Sequence, residues 1–231
     1  GQLLTVLFVM VVINAINFVD GLDGLATGIV AICASCFFAF SYLLAVINGL
    51  NRAGAPSLIT AVVIGLCLGF LPHNFYPAQI FMGDSGAMFL GLMISASAIT
   101  LTGQVDASAI TAENSGSALL PLLLPFTVLA IPLLDFAMAI VRRLRAGRSP
   151  FSADREHLHH RIMRMGLTQQ RTTVVLYLWT AMFAVPTAIA AFIPIWIALL
   201  VGVVIFALSI LVIKRNKNTV IIEHNRSAKV K

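Results

Sequence analysis

Long apolar runs alternate with short polar interruptions along the whole chain. A helix needs roughly 20 apolar residues to cross a bilayer. Seven runs approach that length, at about 2–16, 24–48, 57–72, 86–103, 118–141, 173–192 and 195–213. The pattern predicts an all-α, polytopic integral membrane helix bundle. Its transmembrane domain covers 1–213, and a polar tail, expected to be mobile, covers 214–231. The polar segments at 14–24, 72–86 and 142–172 fall on one side of the membrane if the seven crossings alternate. Those at 49–56, 104–117 and 193–195 fall on the other. Pro72, Pro77, Pro121, Pro125, Pro132 and Pro186 are expected to kink or end spans. "FIPIW", with Pro194 at its centre, marks the tight turn between the last two runs. No repeat and no soluble domain is apparent.

Charge orients the bundle. The first side carries eight arginines between Arg142 and Arg171 and six Lys/Arg in the tail, while Arg52 is alone on the second. By the positive-inside rule the first side is cytoplasmic. One misplaced span would scramble this asymmetry. The net charge of +6 is therefore read as topogenic, and no nucleic-acid partner is expected. Composition agrees: 59% of residues are hydrophobic, 10% are charged and the mean hydropathy is +0.97, against about 25% charged in soluble domains. Cys33, Cys36 and Cys67 lie within apolar runs and read as inert packing. The chain starts at Gly1 in an apolar run without a preceding basic stretch. This reads as part of a longer chain rather than as a signal peptide.

Three polar constellations interrupt the apolar pattern on the first side. In "NAINFVDGLDGLATG", Asn14, Asn17, Asp20 and Asp23 recur at steps of three. If the first helix continues through them, they line one face at its end. A helix stop followed by a helix start accounts for one Asp and one Gly. It does not account for four amides and carboxylates with two Asp-Gly pairs, and ionisable groups at membrane depth point to function. In "FMGDSGAMFLG", Asp84 or Ser85 is a candidate cap for a helix starting near Gly86. Asp84 is equally a candidate Mg²⁺ ligand, since Mg²⁺ binds through one or two carboxylates plus substrate phosphates.

In "REHLHHRIMR", His157, His160, Arg161 and Arg164 share a face if the segment is helical from its start. Arginines there suit a pyrophosphate, and histidines can donate hydrogen bonds to it. Topogenic charge explains the arginines but not three histidines. Zinc is the other reading, which cationic flanks and the lack of a nearby Cys disfavour. Asp135, within the fifth run, is left open between snorkelling, pairing with an arginine and lining a cavity. His73 reads as interfacial.

Together, in this order and on one face, the three motifs resemble the polyprenyl-phosphate N-acetylhexosamine-1-phosphate transferases. The likeness spans Asn14 to about Arg164. "HLHHR" is similar to the N-acetylglucosamine branch, and "VRRLRAGRSPFSADREHLHHR" to actinobacterial members. The resemblance implies transfer of N-acetylglucosamine-1-phosphate from UDP-N-acetylglucosamine to undecaprenyl or decaprenyl phosphate, with release of UMP. It implies Mg²⁺, with Mn²⁺ as a substitute, and an active site on the cytoplasmic face of a bacterial plasma membrane. It implies a first membrane step of cell-wall or surface polysaccharide synthesis; a homodimer stays open. Asp84 matches the main metal ligand, and Asn17 lies near the metal and pyrophosphate. Asp23 matches the uridine contact, and Asp20 lines the same cleft. His159, His160 and Arg161 would hold the diphosphate and sugar, with Asn14 and His157 in the same substrate-binding set and Asp20 and His160 joining Asp84 as catalytic. The family also carries an adjacent Asp pair on an upstream helix. No Asp-Asp pair occurs in this sequence, so further spans are expected to precede it and the chain alone is expected to be inactive. The alternatives are a phospho-N-acetylmuramoyl-pentapeptide transferase and, in another class, an ion-coupled transporter. A transporter would place its polar residues near the midplane.

Overall fold

In hydrocarbon a backbone N–H or C=O finds no water, so an apolar run spans the bilayer only by bonding to itself as a helix. A computed structural model shows this outcome in nine helices among the described residues. Residues 1–48, 54–103, 115–147, 149 and 157–228 are described, with the backbone alone at 47, 48, 115–119 and 216–228. The helices are α1 (Gln2–Val19), α2 (Leu25–Asn48), α3 (Gly54–Asn74), α4 (Gly83–Thr102), α5 (Ser115–Val128), α6 (Ala130–Arg145), α7 (Leu158–Arg164), α8 (Gln169–Ile189) and α9 (Ile195–Ala228). Six are long and apolar enough to cross a membrane, and α5 with α6 form a seventh, bent span. The protein is a polytopic membrane helix bundle.

The expected single span at 118–141 is instead two helices, bent by 62° around Leu129. Pro132 supplies the cause. It has no N–H for the carbonyl of Val128, one turn earlier. The thiol of Cys33 on α2 donates to that carbonyl at 3.2 Å. A cysteine in an apolar run thus serves a specific packing purpose, because the freed acceptor has no water to turn to.

α2 lies at the centre and packs against α3 and α8; α1 packs against α4 and α6, and α9 lies on the outside of α8. The core contains Ile16, Leu25, Ile29, Phe37, Phe40, Val63, Ile94, Leu124 and Leu129, all at most 1% exposed. Outward-facing Leu199, Val203 and Leu211 suit a surface solvated by lipid. Several hydroxyls are satisfied by their own helix. Ser35, Thr60, Ser97, Thr100 and Thr180 each donate to the carbonyl four residues earlier. Ser57 on α3 reaches Ser41 on α2 at 2.9 Å.

Helices α1 and α4 approach closely because one residue lacks a side chain. A Cβ on Gly91 of α4 would lie 2.8 Å from the Cα of Ile13 on α1. The backbones of α1 and α4 can therefore touch one turn away from Asn17.

The ends differ from the sequence expectation in three places. α1 stops at Val19, with Asp20 as C-cap, so the Asn14–Asp23 stripe does not continue along one helix. The basic segment 142–172 is not simply a loop, since α6 runs to Arg145 and α7 and α8 occupy much of the rest. The segment from Lys214, expected to be a mobile tail, is helical, because α9 continues to Ala228. The loops at 49–53 and 104–114 and the stretch 150–156 lie outside the described residues.

Candidate active site

The last turn of α1 and the first turn of α4 meet at one end of the bundle. There Asn17 Nδ2 donates to Asp84 Oδ1 at 3.1 Å. Gly83, at φ +67°, turns the chain into α4 through a conformation that suits glycine. The N-cap of α4 is Met82, with no side-chain cap bond. The capping reading of Asp84 and Ser85 is thus corrected: both lie inside the first turn, and the Asp84 carboxylate reaches across to α1. Asp20 lies within range of the Asp84 charge. Burial and then that charge push its carboxyl up to about 6. A carboxylate that ionises less readily because another carboxylate's charge lies nearby is in a place that favours a cation.

Asn14 lies apart from this contact. Its Nδ2 bonds back to the Met10 carbonyl at 2.7 Å, within α1. Asp23 sits in the turn between α1 and α2, and its Oδ2 accepts from the backbone N–H of Ala78 at 3.0 Å. That bond ties the turn to the α3–α4 connection. The same connection is held by Asn74, which accepts from Thr27 Oγ1 at 2.6 Å and donates to the Ile80 carbonyl at 3.0 Å. Tyr177 of α8 donates its hydroxyl hydrogen bond to the Gly24 carbonyl. Gly24 is at φ +72°, and a Cβ on Gly28 would lie 2.1 Å from the Tyr177 ring. Tyr177 therefore packs directly on the turn's backbone.

The histidine segment is ordered differently from the expected helix face. His157 is the N-cap of α7 with extended backbone, φ −63° and ψ 158°. It does not share a helical face with His160, Arg161 and Arg164. Its Nδ1 instead lies 3.0 Å from Asp135 Oδ2 on α6. The His157 and His159 rings are parallel, 5°, with centroids 5.8 Å apart, and His160 follows at 4.3 Å from His159. His159 is 2% exposed, and its Nε2 has no hydrogen-bond partner among the described residues. Burial, and then the neighbouring His160, lower its pKa to about 4. Arg161 and Arg164 are exposed.

One residue joins the two halves. A Cβ on Gly21, between Asp20 and Asp23, would come within 2.4 and 2.6 Å of His159 Cε1 and Nε2. The Asp-Gly turn and the histidine segment are thus in van der Waals contact, and glycine is what permits it. The sequence motifs identify both sides of this contact but not the contact. Asp135 and Tyr177 were not among the residues singled out for the site. A lone acid in an apolar run was the signal for Asp135; Tyr177 carries none.

Among the described residues, no three His, Cys, Asp or Glu side chains converge to hold a metal by themselves. Asp20, Asp84 and the Asn17 amide are the residues that could serve as a partial donor set. That suits Mg²⁺, which keeps positions for water and phosphate oxygens, better than zinc.

The family model described as Glycosyl transferase family 4 matches residues 1–102, from α1 to the end of α4. Over 165 residues, 71% of this chain, 43% are identical to Decaprenyl-phosphate N-acetylglucosaminephosphotransferase of Mycobacterium tuberculosis (strain CDC 1551 / Oshkosh). The chain belongs to glycosyl transferase family 4. The protein of the same name from Mycobacterium leprae (strain TN) is 46% identical over 165 residues, again 71% of this chain. Undecaprenyl-phosphate alpha-N-acetylglucosaminyl 1-phosphate transferase of Yersinia pestis is 36% identical over 153 residues, 65% of this chain and 38% of that relative. The match covers 41% of each mycobacterial relative, so the chain spans about two fifths of their length. The matched part of glycosyl transferase family 4 includes Asn17, Asp20, Asp23 and Asp84.

Proposed function

We propose that the protein transfers N-acetylglucosamine-1-phosphate from UDP-N-acetylglucosamine to a polyprenyl phosphate and releases UMP. The observation that carries the reading is the Asn17–Asp84 contact, with Asp20 beside it and the histidine segment seated on the same turn through Gly21. The names of the relatives support the acceptor and the transferred group.

In this reading an oxygen of the lipid phosphate attacks the β-phosphorus of the sugar nucleotide. A new P–O bond forms, the bond from that phosphorus to the bridging oxygen breaks, and UMP leaves with the electron pair. Such transfers need positioning and charge stabilisation more than covalent help from the protein. Asp84, Asp20 and the Asn17 amide would hold Mg²⁺. The cation would supply neutralisation of the phosphate oxygens as charge shifts to the leaving group. The Asn17 hydrogen bond engages one Asp84 oxygen and fixes the plane of the carboxylate. His160 and the guanidinium of Arg161 follow His159 at the other side of the turn and are suited to hold diphosphate oxygens. Asp23 would face the uridine end while its Oδ2 braces the Ala78 backbone.

An apolar cavity of about 730 Å³ between α1, α4, α5 and α6 supports the acceptor side of the reading. Phe8, Val11, Ile99, Phe126 and Leu133 line it. A prenyl chain fits such a wall chemically, with its phosphate directed to the polar end of α1. The clustering of Lys and Arg supports a cytoplasmic orientation of that end in a bacterial plasma membrane.

The test is donor choice. Membranes carrying the intact gene product are given polyprenyl phosphate and Mg²⁺ with either UDP-N-acetylglucosamine or UDP-N-acetylmuramoyl-pentapeptide. Lipid-linked product and equal UMP from the first donor alone support the reading. Product from the second alone transfers the protein to the muramoyl-pentapeptide activity.

A further inference from the structure

The first histidine of the segment is held by a carboxylate supplied from a membrane span. Asp135, on α6, is 2% exposed. Its Oδ1 accepts from the backbone N–H of Leu158 at 2.7 Å, and its Oδ2 lies 3.0 Å from His157 Nδ1. A buried carboxylate is tolerated when both oxygens are engaged, and here both are. His157 is the N-cap of α7 but makes no side-chain cap bond. Asp135 takes over that duty from another helix by accepting the first N–H of α7.

We infer that Asp135 is a positioning residue: it sets the ring tautomer of His157 and, through the stack of rings, the seat of His159 on Gly21. With one carboxylate oxygen accepting from Leu158 and the other facing Nδ1, the proton of the contact sits on Nδ1. Nε2 of His157 is then the nitrogen left for other partners. Phe18 packs edge-on to the His157 ring, with centroids 5.3 Å apart. The parallel His159 ring lies 5.8 Å away. Turning His157 would disturb both. The inference rests on reading this segment as part of the transfer site, but its first consequence is a proton position, which is measurable without turnover.

Asp135→Asn separates this role from general stability. The Asn oxygen still accepts from Leu158, while its NH₂ group now faces His157 and donates. That forces the His157 proton from Nδ1 to Nε2. Asp135→Glu keeps two acceptor oxygens and is expected to keep Nδ1–H. The experiment is ¹⁵N NMR of histidine-labelled full chain in detergent, with His157 assigned by His157→Gln. Folding is checked through the unreactive thiol of buried Cys67. A Nδ1-protonated His157 in the wild type and a switch to Nε2–H in Asp135→Asn are expected. The same tautomer in both proteins overturns the inference.

Turnover of the intact gene product gives a second arm. Asp135→Asn is expected to lower kcat about 10- to 100-fold, the scale for partners that orient functional histidines. In a His157→Gln background it is expected to add no further loss. An equal loss in both backgrounds would mean that Asp135 acts on the fold and not through His157. If the protein proves to catalyse another reaction, the tautomer measurement still decides the inference.

Discussion

Asn17 and Asp84, 67 positions apart in sequence, are joined by a 3.1 Å hydrogen bond between the last turn of α1 and the first turn of α4. The contact is possible because Gly91 lets the two helices approach at Ile13. It brings two separate motifs together at one end of the bundle.

Replacing Asp84 by Asn tests what that end of the bundle is for. Asn still accepts from Asn17, and it loses only the favourable charge at the helix start, about 0.3–1 kcal/mol. The melting temperature in detergent should change little, while transfer by the intact gene product falls at least about 100-fold, the scale for a lost electrostatic contact to developing charge. Near-wild-type turnover at limiting Mg²⁺ would make Asp84 a structural residue.

Gly21→Ala tests the junction between the turn and the histidine segment. Its Cβ would collide with the His159 ring. Overpacking of this kind costs about 1–3 kcal/mol, and activity should drop with it. Gly65→Ala on α3 is the control, since no atom lies within 4 Å of the added carbon. Alanine is also the better helix former there by about 1 kcal/mol, so that variant should be neutral or more stable. Equal behaviour of the two variants would remove the contact from the account.

His159 gives a pH dependence with a defined sign. Its pKa in the fold is lowered from 6.5 to about 4. The unfolded chain therefore binds the proton first as pH falls. Stability from neutral burial is complete above about 6.5 and is lost progressively as pH drops toward about 4. His159→Gln cannot take up that proton. Melting temperatures at about pH 7.5 and about pH 4.5 should fall further for the wild type than for His159→Gln. Identical falls would assign the acid sensitivity to other groups.

Much of the fold was legible because bilayer physics writes it in one dimension. Six spans follow from the length of their apolar runs. The break at Leu129 was not legible as two helices. Prolines at 121, 125 and 132 announce distortion, but the thiol that accommodates the freed Val128 carbonyl comes from a distant helix. Motif spacing found Asn17 and Asp84 but could not show that they touch. It misread His157, because the N-cap depends on Asp135 of another helix. The polarity of the segment after Lys214 did not reveal that the apolar helix before it continues to Ala228.

In the proposed reaction the Asn17–Asp84 end of the bundle moves a sugar phosphate, not a sugar alone. The direct measurement uses UDP-N-acetylglucosamine labelled with ³²P at the β-phosphorus and ³H in the sugar. Membranes carrying the intact gene product are supplied with polyprenyl phosphate and Mg²⁺. Both labels should enter the lipid in equal amounts, with one UMP released for each, and both should vanish with Asp84→Asn. Tritium in the lipid without ³²P, or equal incorporation of both labels by the Asp84→Asn protein, would contradict it.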